Sequence, residues 1–146
     1  MDIPEDDNVI RYIEYKFLLR DDKGVTLGLL PQAFELRDID NGKLSISWLE
    51  YCNEVTHQKN IDSSVKTFRK VINNHSNNCG YGIGKVKTIK EVGSLFGTGK
   101  INIVHSPSKK NKAHSSIIRI PNNDWDFMAA LAEDAFLELI LDSNIP

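Results

Sequence analysis

The stretch Ile101-Asn102-Ile103-Val104-His105-Ser106-Pro107-Ser108-Lys109-Lys110-Asn111-Lys112-Ala113-His114-Ser115-Ser116-Ile117-Ile118-Arg119-Ile120-Pro121 decides the fold class. It opens on a short strand over 101–105. A basic loop over 106–112 follows and contains Pro107. A second strand over 115–120 stops at Pro121, whose nitrogen cannot donate to a ladder. Two strands in succession, with no helix between them, break the strict alternation of a doubly wound sheet.

Working outward, the flanks supply the remaining elements. Upstream lies a glycine-rich loop over 93–100. Before it, residues 83–92 mix Val86, Ile89 and Val92 with Lys85, Lys87 and Lys90, and read as a third strand. Asp62 or Ser63 caps a helix reaching about Asn73, with Val65, Phe68, Val71 and Ile72 at helical spacing. The polar run from Asn73 to Gly80 reads as irregular. An earlier helix opens at Ser45–Glu50, where Ser47 and Glu50 have the spacing of a capping box and Trp48, Leu49, Cys52 and Val55 form a stripe. At the N-terminus, Val9 to Tyr15 is β-branched and aromatic and reads as a strand. A turn at Asp21–Gly24 leads to a short apolar stretch, Val25 to Leu30, that stops at Pro31. Asp40-Asn41-Gly42 is a turn signal. Downstream, Asp124 caps a helix from Trp125 to about Leu141 with a broad apolar face. The sum is one α+β domain over 1–146, with residues 1–7 frayed. It has a mixed or antiparallel sheet of about five strands, two central helices and a C-terminal amphipathic helix.

Composition is that of a globular chain, with 40% hydrophobic and 26% charged residues, and excludes disordered, collagen-like and disulfide-scaffold classes. No apolar run approaches the roughly 20 residues a membrane helix needs. The acidic start, Met1 to Asp7, lacks the apolar core of a secretory signal. Cys52 and Cys79 form no CxxC pattern, so a cytoplasmic chain with two free thiols is expected. Cys52 is placed on a helix and Cys79 in an exposed loop. The net charge of −2 conceals strong zoning. Residues 1–54 carry 12 acids and 6 bases, residues 55–119 carry 2 acids and 12 bases, and residues 120–146 carry 6 acids and no base.

Several constellations bear on chemistry. Gly97-Thr98-Gly99-Lys100 departs from the phosphate-loop pattern, having Ser94 and Ile101 where Gly and Ser or Thr are needed. A strand also follows where a helix N-terminus should face the phosphate. A nucleotide-hydrolysing loop of that type is therefore excluded. His105 and His114 flank the basic loop at the ends of two strands, and either could serve as a general base, a phosphate contact or a ligand. His114-Ser115-Ser116 matches the HxS half of a two-histidine phosphoesterase motif, whose second copy is missing. Residues 93–122 hold no carboxylate, so a metal site would draw on Glu14, Asp38 or Asp124, and zinc-type Cys/His spacing is absent. No metal and no cofactor are expected. Lys85, Lys87, Lys100, Lys109, Lys110 and Lys112 are candidates for contacting phosphate or nucleic acid. Lys85 and Lys87 are expected to share a strand face. Aromatic interleaving in this segment is poor, with only Tyr81 and Phe96 between Phe68 and Trp125, so stacking platforms are not evident. The acids of the last helix, from Asp126 to Asp142, oppose the helix dipole and call for a basic neighbour.

The segments Leu29–Phe34, Leu44–Trp48, Gly82–Val86 and Asn111–Ile117 occur in an order that resembles small uncharacterised prokaryotic proteins of mobile or defence-type gene neighbourhoods. That resemblance implies no particular activity. Arg11 on the first strand, followed by Ser45-x-Ser47, also resembles the layout of ADP-ribosyltransferase-like toxins. It implies a catalytic Glu near a later strand, where Glu91 is the only acid.

Two functions are expected. The first is a non-enzymatic accessory or adaptor subunit of a cytosolic, defence-related complex, acting through a protein partner or self-association steered by the zoned charge. The second is a nucleotide- or RNA-directed enzyme or toxin, with Arg11, His105, His114 and Arg119 as candidate catalytic residues. It requires these four to converge in one cleft.

Overall fold

The computed structural model describes residues 1–96 and 100–146. The glycine loop at 97–99 lies outside the described residues. Among the described residues, eight strands and three α-helices follow one another as β1 (Asn8–Ile13), β2 (Leu18–Arg20), β3 (Thr26–Leu29), β4 (Leu44–Trp48), α1 (His57–Val71), β5 (Gly80–Lys85), α2 (Val86–Ser94), β6 (Asn102–His105), β7 (His114–Ile118), α3 (Trp125–Ala130) and β8 (Glu138–Leu141). Six strands form one antiparallel sheet in the order β6-β7-β4-β1-β5-β8, and β2 pairs with β3 in a separate hairpin. The fold class is α+β, as expected. The strand count is higher than the five read from sequence.

Alternation along the strands sorts the core into two layers. Val9 and Ile13 of β1, with Leu44, Ile46, Ile103 and Ile117, face a large cluster closed by α2, α3 and the segment after Pro31. Ile10, Tyr81 and Ile83 point the other way, onto Ile61, Val65 and Phe68 of α1. Beyond β1 this second face turns polar. Ser45 stands opposite Ser116, and Ser47 opposite His114. Among the described residues, neither hydrophobic cluster extends over these hydroxyls and the imidazole.

Four expectations fail, each for a tertiary reason. The helix expected from Ser45 is strand β4, ended by a 3-10 turn over Leu49–Cys52. Ile46 and Leu44 alternate with serines, and pairing to β1 and β7 outweighs the capping-box pattern. The strand expected over 83–92 divides at Lys85 into β5 and α2. The spacing of Val86, Ile89 and Val92 is helical, and all three are buried. The strand after His114 ends at Ile118, where Arg119 takes a left-handed φ of 60°.

The C-terminal helix stops after α3 and a π-turn over Leu131–Ala135, and the chain returns as β8 beside β5. Glycines in β5 make room for that return. A Cβ on Gly84 would lie 2.9 Å from the Ala135 carbonyl oxygen. Two smaller differences follow. Thr56, not Asp62 or Ser63, caps α1. Residues 1–7, expected to fray, are tied down: residues 1–3 run beside β6, with Ile3 buried and its N–H bonded to the Ile103 carbonyl at 3.1 Å, and the carbonyls of Glu5 and Asp7 accept from Lys87 and Val86 at the start of α2. Among the described residues no helix is long and apolar enough to cross a membrane.

Candidate functional site

Strands β1 and β4 pair at only two positions, Val9 with Trp48 and Ile10 with Ser47. Arg11 comes next, on the face that carries Val9 and Ile13. Its Nε donates to the Ala33 carbonyl at 2.9 Å and its Nη1 to the Ser45 carbonyl at 2.6 Å. The guanidinium also lies 5.8 Å from the Phe34 ring centroid. It makes no ion pair among the described residues. Burial draws its pKa down to about 10, against an upward pull from Asp40. An unpaired, half-buried charge is costly, so this cation invites a counter-charge.

A groove of about 1050 Å³ runs past the end of the β1–β4 pairing, and Arg11, Tyr12, Ser45 and His114 all line it. One wall is the C-terminal end of α1, from Phe68 to Ile72, and another is the 106–113 loop. Asn111, buried, braces that loop by donating to Ser47 Oγ at 3.3 Å and accepting from the Ala113 N–H at 3.1 Å. Lys110 stands at the rim. Gln32 Oε1, in the same lining, is a buried acceptor without a hydrogen-bond partner.

His114 Nδ1 lies 2.9 Å from the Ser106 carbonyl. A carbonyl only accepts, so Nδ1 carries the proton and Nε2 is left as the basic nitrogen of the neutral ring. That Nε2 faces Ser45 Oγ at 3.4 Å. Nearby, Asp40 is held by Arg37 at 2.9 Å. Burial pushes the Asp40 carboxyl up, but the hydrogen bonds from Arg37 outweigh it and hold the pKa below the ordinary value.

Of the four candidates, Arg11 and His114 thus converge, through Ser45. His105 does not join them. Its Nε2 reaches the Lys112 carbonyl at 2.6 Å, and its ring packs on Trp48 and Tyr51. Arg119 is exposed beyond the other end of β7, roughly 16 Å along the strand from His114 at about 3.3 Å per residue. Among the candidate lysines only Lys110 lines the groove. Lys85 ends β5 and Lys87 lies in α2, so they share no strand face. Glu91 is exposed on α2 and absent from the groove lining. The groove's own acids are Glu14, Glu35 and Asp40. The sequence does not single out Gln32 or Tyr12 as site residues, although Gln32 lies in the Leu29–Phe34 segment of the resemblance and Tyr12 in the first strand.

A second cluster lies where the C-terminal turn meets β5 and α1. Tyr81 donates to Asp142 Oδ1 at 2.6 Å and lies 2.7 Å from His75 Nε2. Arg69 Nε bonds the same Oδ1 at 3.0 Å, and its remaining nitrogens bond the carbonyls of Asp142, Ile145 and Pro146. The basic neighbours expected for the C-terminal acids are therefore in α1: Arg69 for Asp142 and His57 for Glu138. Cys79, expected in an exposed loop, is buried, and burial pushes its thiol up to about 11. Asp142 is pushed up by burial, but hydrogen bonds from Tyr81 and Arg69 leave its pKa below the ordinary value.

No protein-family model, no curated protein and no solved structure gives a significant match to this chain.

Proposed function

We propose that the groove beside β1 and β4 binds a phosphate-bearing ligand of the nucleotide or RNA class, with Arg11 as the anion contact and His114 as an acid–base group. The observation that carries this reading is the half-buried guanidinium of Arg11, unpaired by any acid among the described residues and lining an open groove. Guanidinium matches phosphate in geometry and charge. Gln32 Oε1 adds an acceptor for a base or ribose donor. His114 offers Nε2 to a ligand hydroxyl or to Ser45.

The test is isothermal titration with pyrophosphate, a mononucleotide and a short single-stranded RNA, each at low and high salt. Wild-type protein is expected to bind at least one of them saturably, and Arg11→Gln to lose that binding. No binding by the wild type, or equal binding by both proteins, overturns the proposal.

A second reading, that of an accessory subunit meeting a protein partner or a second copy of itself, is favoured by a different surface. The β2–β3 hairpin exposes Leu19, Val25 and Leu27, with Tyr15 beside it. Size-exclusion chromatography with light scattering at two salt concentrations tests self-association. A monomer at both, with no partner co-purifying from the native host, removes it.

A further inference from the structure

We propose that His75, Cys79 and Asp142 form a binding site for a zinc-type transition-metal ion. Two donors come from the loop between α1 and β5, four residues apart, and the third from the distant C-terminal turn. Their ligand atoms all lie within 4.8 Å of one another. His75 Nε2 is 3.6 Å from Cys79 Sγ and 3.6 Å from Asp142 Oδ1. For a tetrahedral ion with metal–ligand bonds of about 2.0–2.3 Å, neighbouring ligand atoms stand about 3.3–3.6 Å apart. The metal-free spacing already approaches that shell.

The charges and protons also balance. A dication meets one thiolate and one carboxylate, so the core of the site is neutral. Cys79 gives up its thiol proton to solvent. His75 stays neutral by carrying its proton on Nδ1, which frees Nε2 to ligate. Arg69 holds the Asp142 carboxylate from behind, as outer partners of metal ligands do. The Tyr81 oxygen is 2.7 Å from Nε2, 2.6 Å from Oδ1 and 3.7 Å from Sγ. It stands at the fourth corner but closer in than a coordinated donor, so metal entry requires the donors to spread by about half an ångström. His75 is in a loop and its side chain keeps 12% exposure, which gives the ion a way in. Mixed nitrogen, sulfur and oxygen donors suit zinc, with cobalt(II) as its spectroscopic stand-in.

The experiment titrates cobalt(II) into chelator-treated full-length protein and reads its absorbance, then adds zinc and follows thermal unfolding. One equivalent is expected to give a sulfur-to-cobalt charge-transfer band with tetrahedral d–d bands, which zinc abolishes. Zinc is also expected to raise the unfolding temperature. Cys79→Ser removes the charge-transfer band and weakens cobalt binding by about 100-fold or more, above the effect of losing an outer partner. His75→Gln, at a less buried position, serves as the second variant should Cys79→Ser fold poorly. Absence of the charge-transfer band in the wild type overturns the site. So does equal binding by wild type and His75→Gln, which would place the ion elsewhere.

Discussion

Arg69 and Arg11 both lean into the protein, one against the C-terminal turn and the other at the floor of the groove. Their surroundings are opposite. Arg69 meets a carboxylate at 3.0 Å and three backbone carbonyls. Its hydrogen bond to Asp142 raises its pKa. Arg11 meets two carbonyls and no acid, and burial lowers its pKa to about 10. A paired charge ties segments of the chain together. An unpaired one costs folding free energy and keeps its attraction for something outside the chain. The comparison separates a cluster of gathered donors, suited to a cation, from a groove with an unspent positive charge, suited to an anion.

The largest effect expected is at the paired arginine. Asp142→Asn removes the negative charge that Arg69 and Tyr81 share and puts an amide N–H2 in place of one carboxylate oxygen, in a buried setting. Breaking one side of such a pair costs about 3 kcal/mol or more, read as a shift of the urea midpoint at constant slope. Arg11→Met is expected to change stability by less than about 1 kcal/mol, because relief of an unpaired, half-buried charge offsets two lost hydrogen bonds. Similar losses from both substitutions would break the comparison.

How far these two regions could be read in the sequence differs as well. The strand carrying Arg11 and the basic loop before His114 are marked by β-branched runs and prolines. Both residues were therefore identified early, and the α+β class with them. Their convergence on Ser45 was not legible, because Ser45–Glu50 imitates a helix start. Only the cross-strand pairing of Ser47 with Ile10 and His114 makes it a strand. His105 and His114 looked equivalent in sequence. They point to opposite faces because their positions differ in parity: His105 pairs with Ser115, and His114 with Ser47. The second cluster was harder still. His75 and Cys79 sit in an asparagine-rich run, and Asp142 is 63 residues beyond Cys79. The apolar face from Trp125 to Leu141 suggested one helix. The chain leaves it at Phe136 because β5 has a free edge whose glycines admit Phe136 and Leu139.

The second expected effect sharpens the contrast within the groove itself. Arg37 lines the same groove as Arg11, but Asp40 already occupies it at 2.9 Å. Arg11→Gln is therefore expected to weaken binding of the anionic ligand by about 10–100-fold, the range of a charged hydrogen bond. Arg37→Gln is expected to weaken it by less than about threefold, because Asp40 already neutralises the exposed Arg37 guanidinium. The affinities come from the same titrations. Equal losses would mean that net charge, not the unpaired guanidinium, draws the ligand.

The smallest effect expected is on the pH profile of that binding, and its sign follows from the unpaired state of Arg11. Desolvation disfavours the charged form, so the guanidinium loses its proton at about 10 instead of at its ordinary, higher value. Below about 10 it is charged and can hold an anion, and the cost of burying that charge is present. Above about 10 the attraction disappears, while the folding cost is relieved only progressively, between about 10 and the ordinary, higher value that the unfolded chain keeps. Anion affinity is expected to fall as the pH rises through about 10, and stability to rise from about 10 upward. Asp40, Glu14 and Arg37 also act on this group, the two acids raising its pKa and Arg37 lowering it. Removing Asp40 as Asp40→Asn therefore takes away an upward pull and should move the fall in affinity to lower pH. Lysines and tyrosines titrate in the same range, so the profile is compared with that of Arg11→Gln. A fall that survives unchanged in Arg11→Gln belongs to those groups, and the unpaired arginine then plays no part in it.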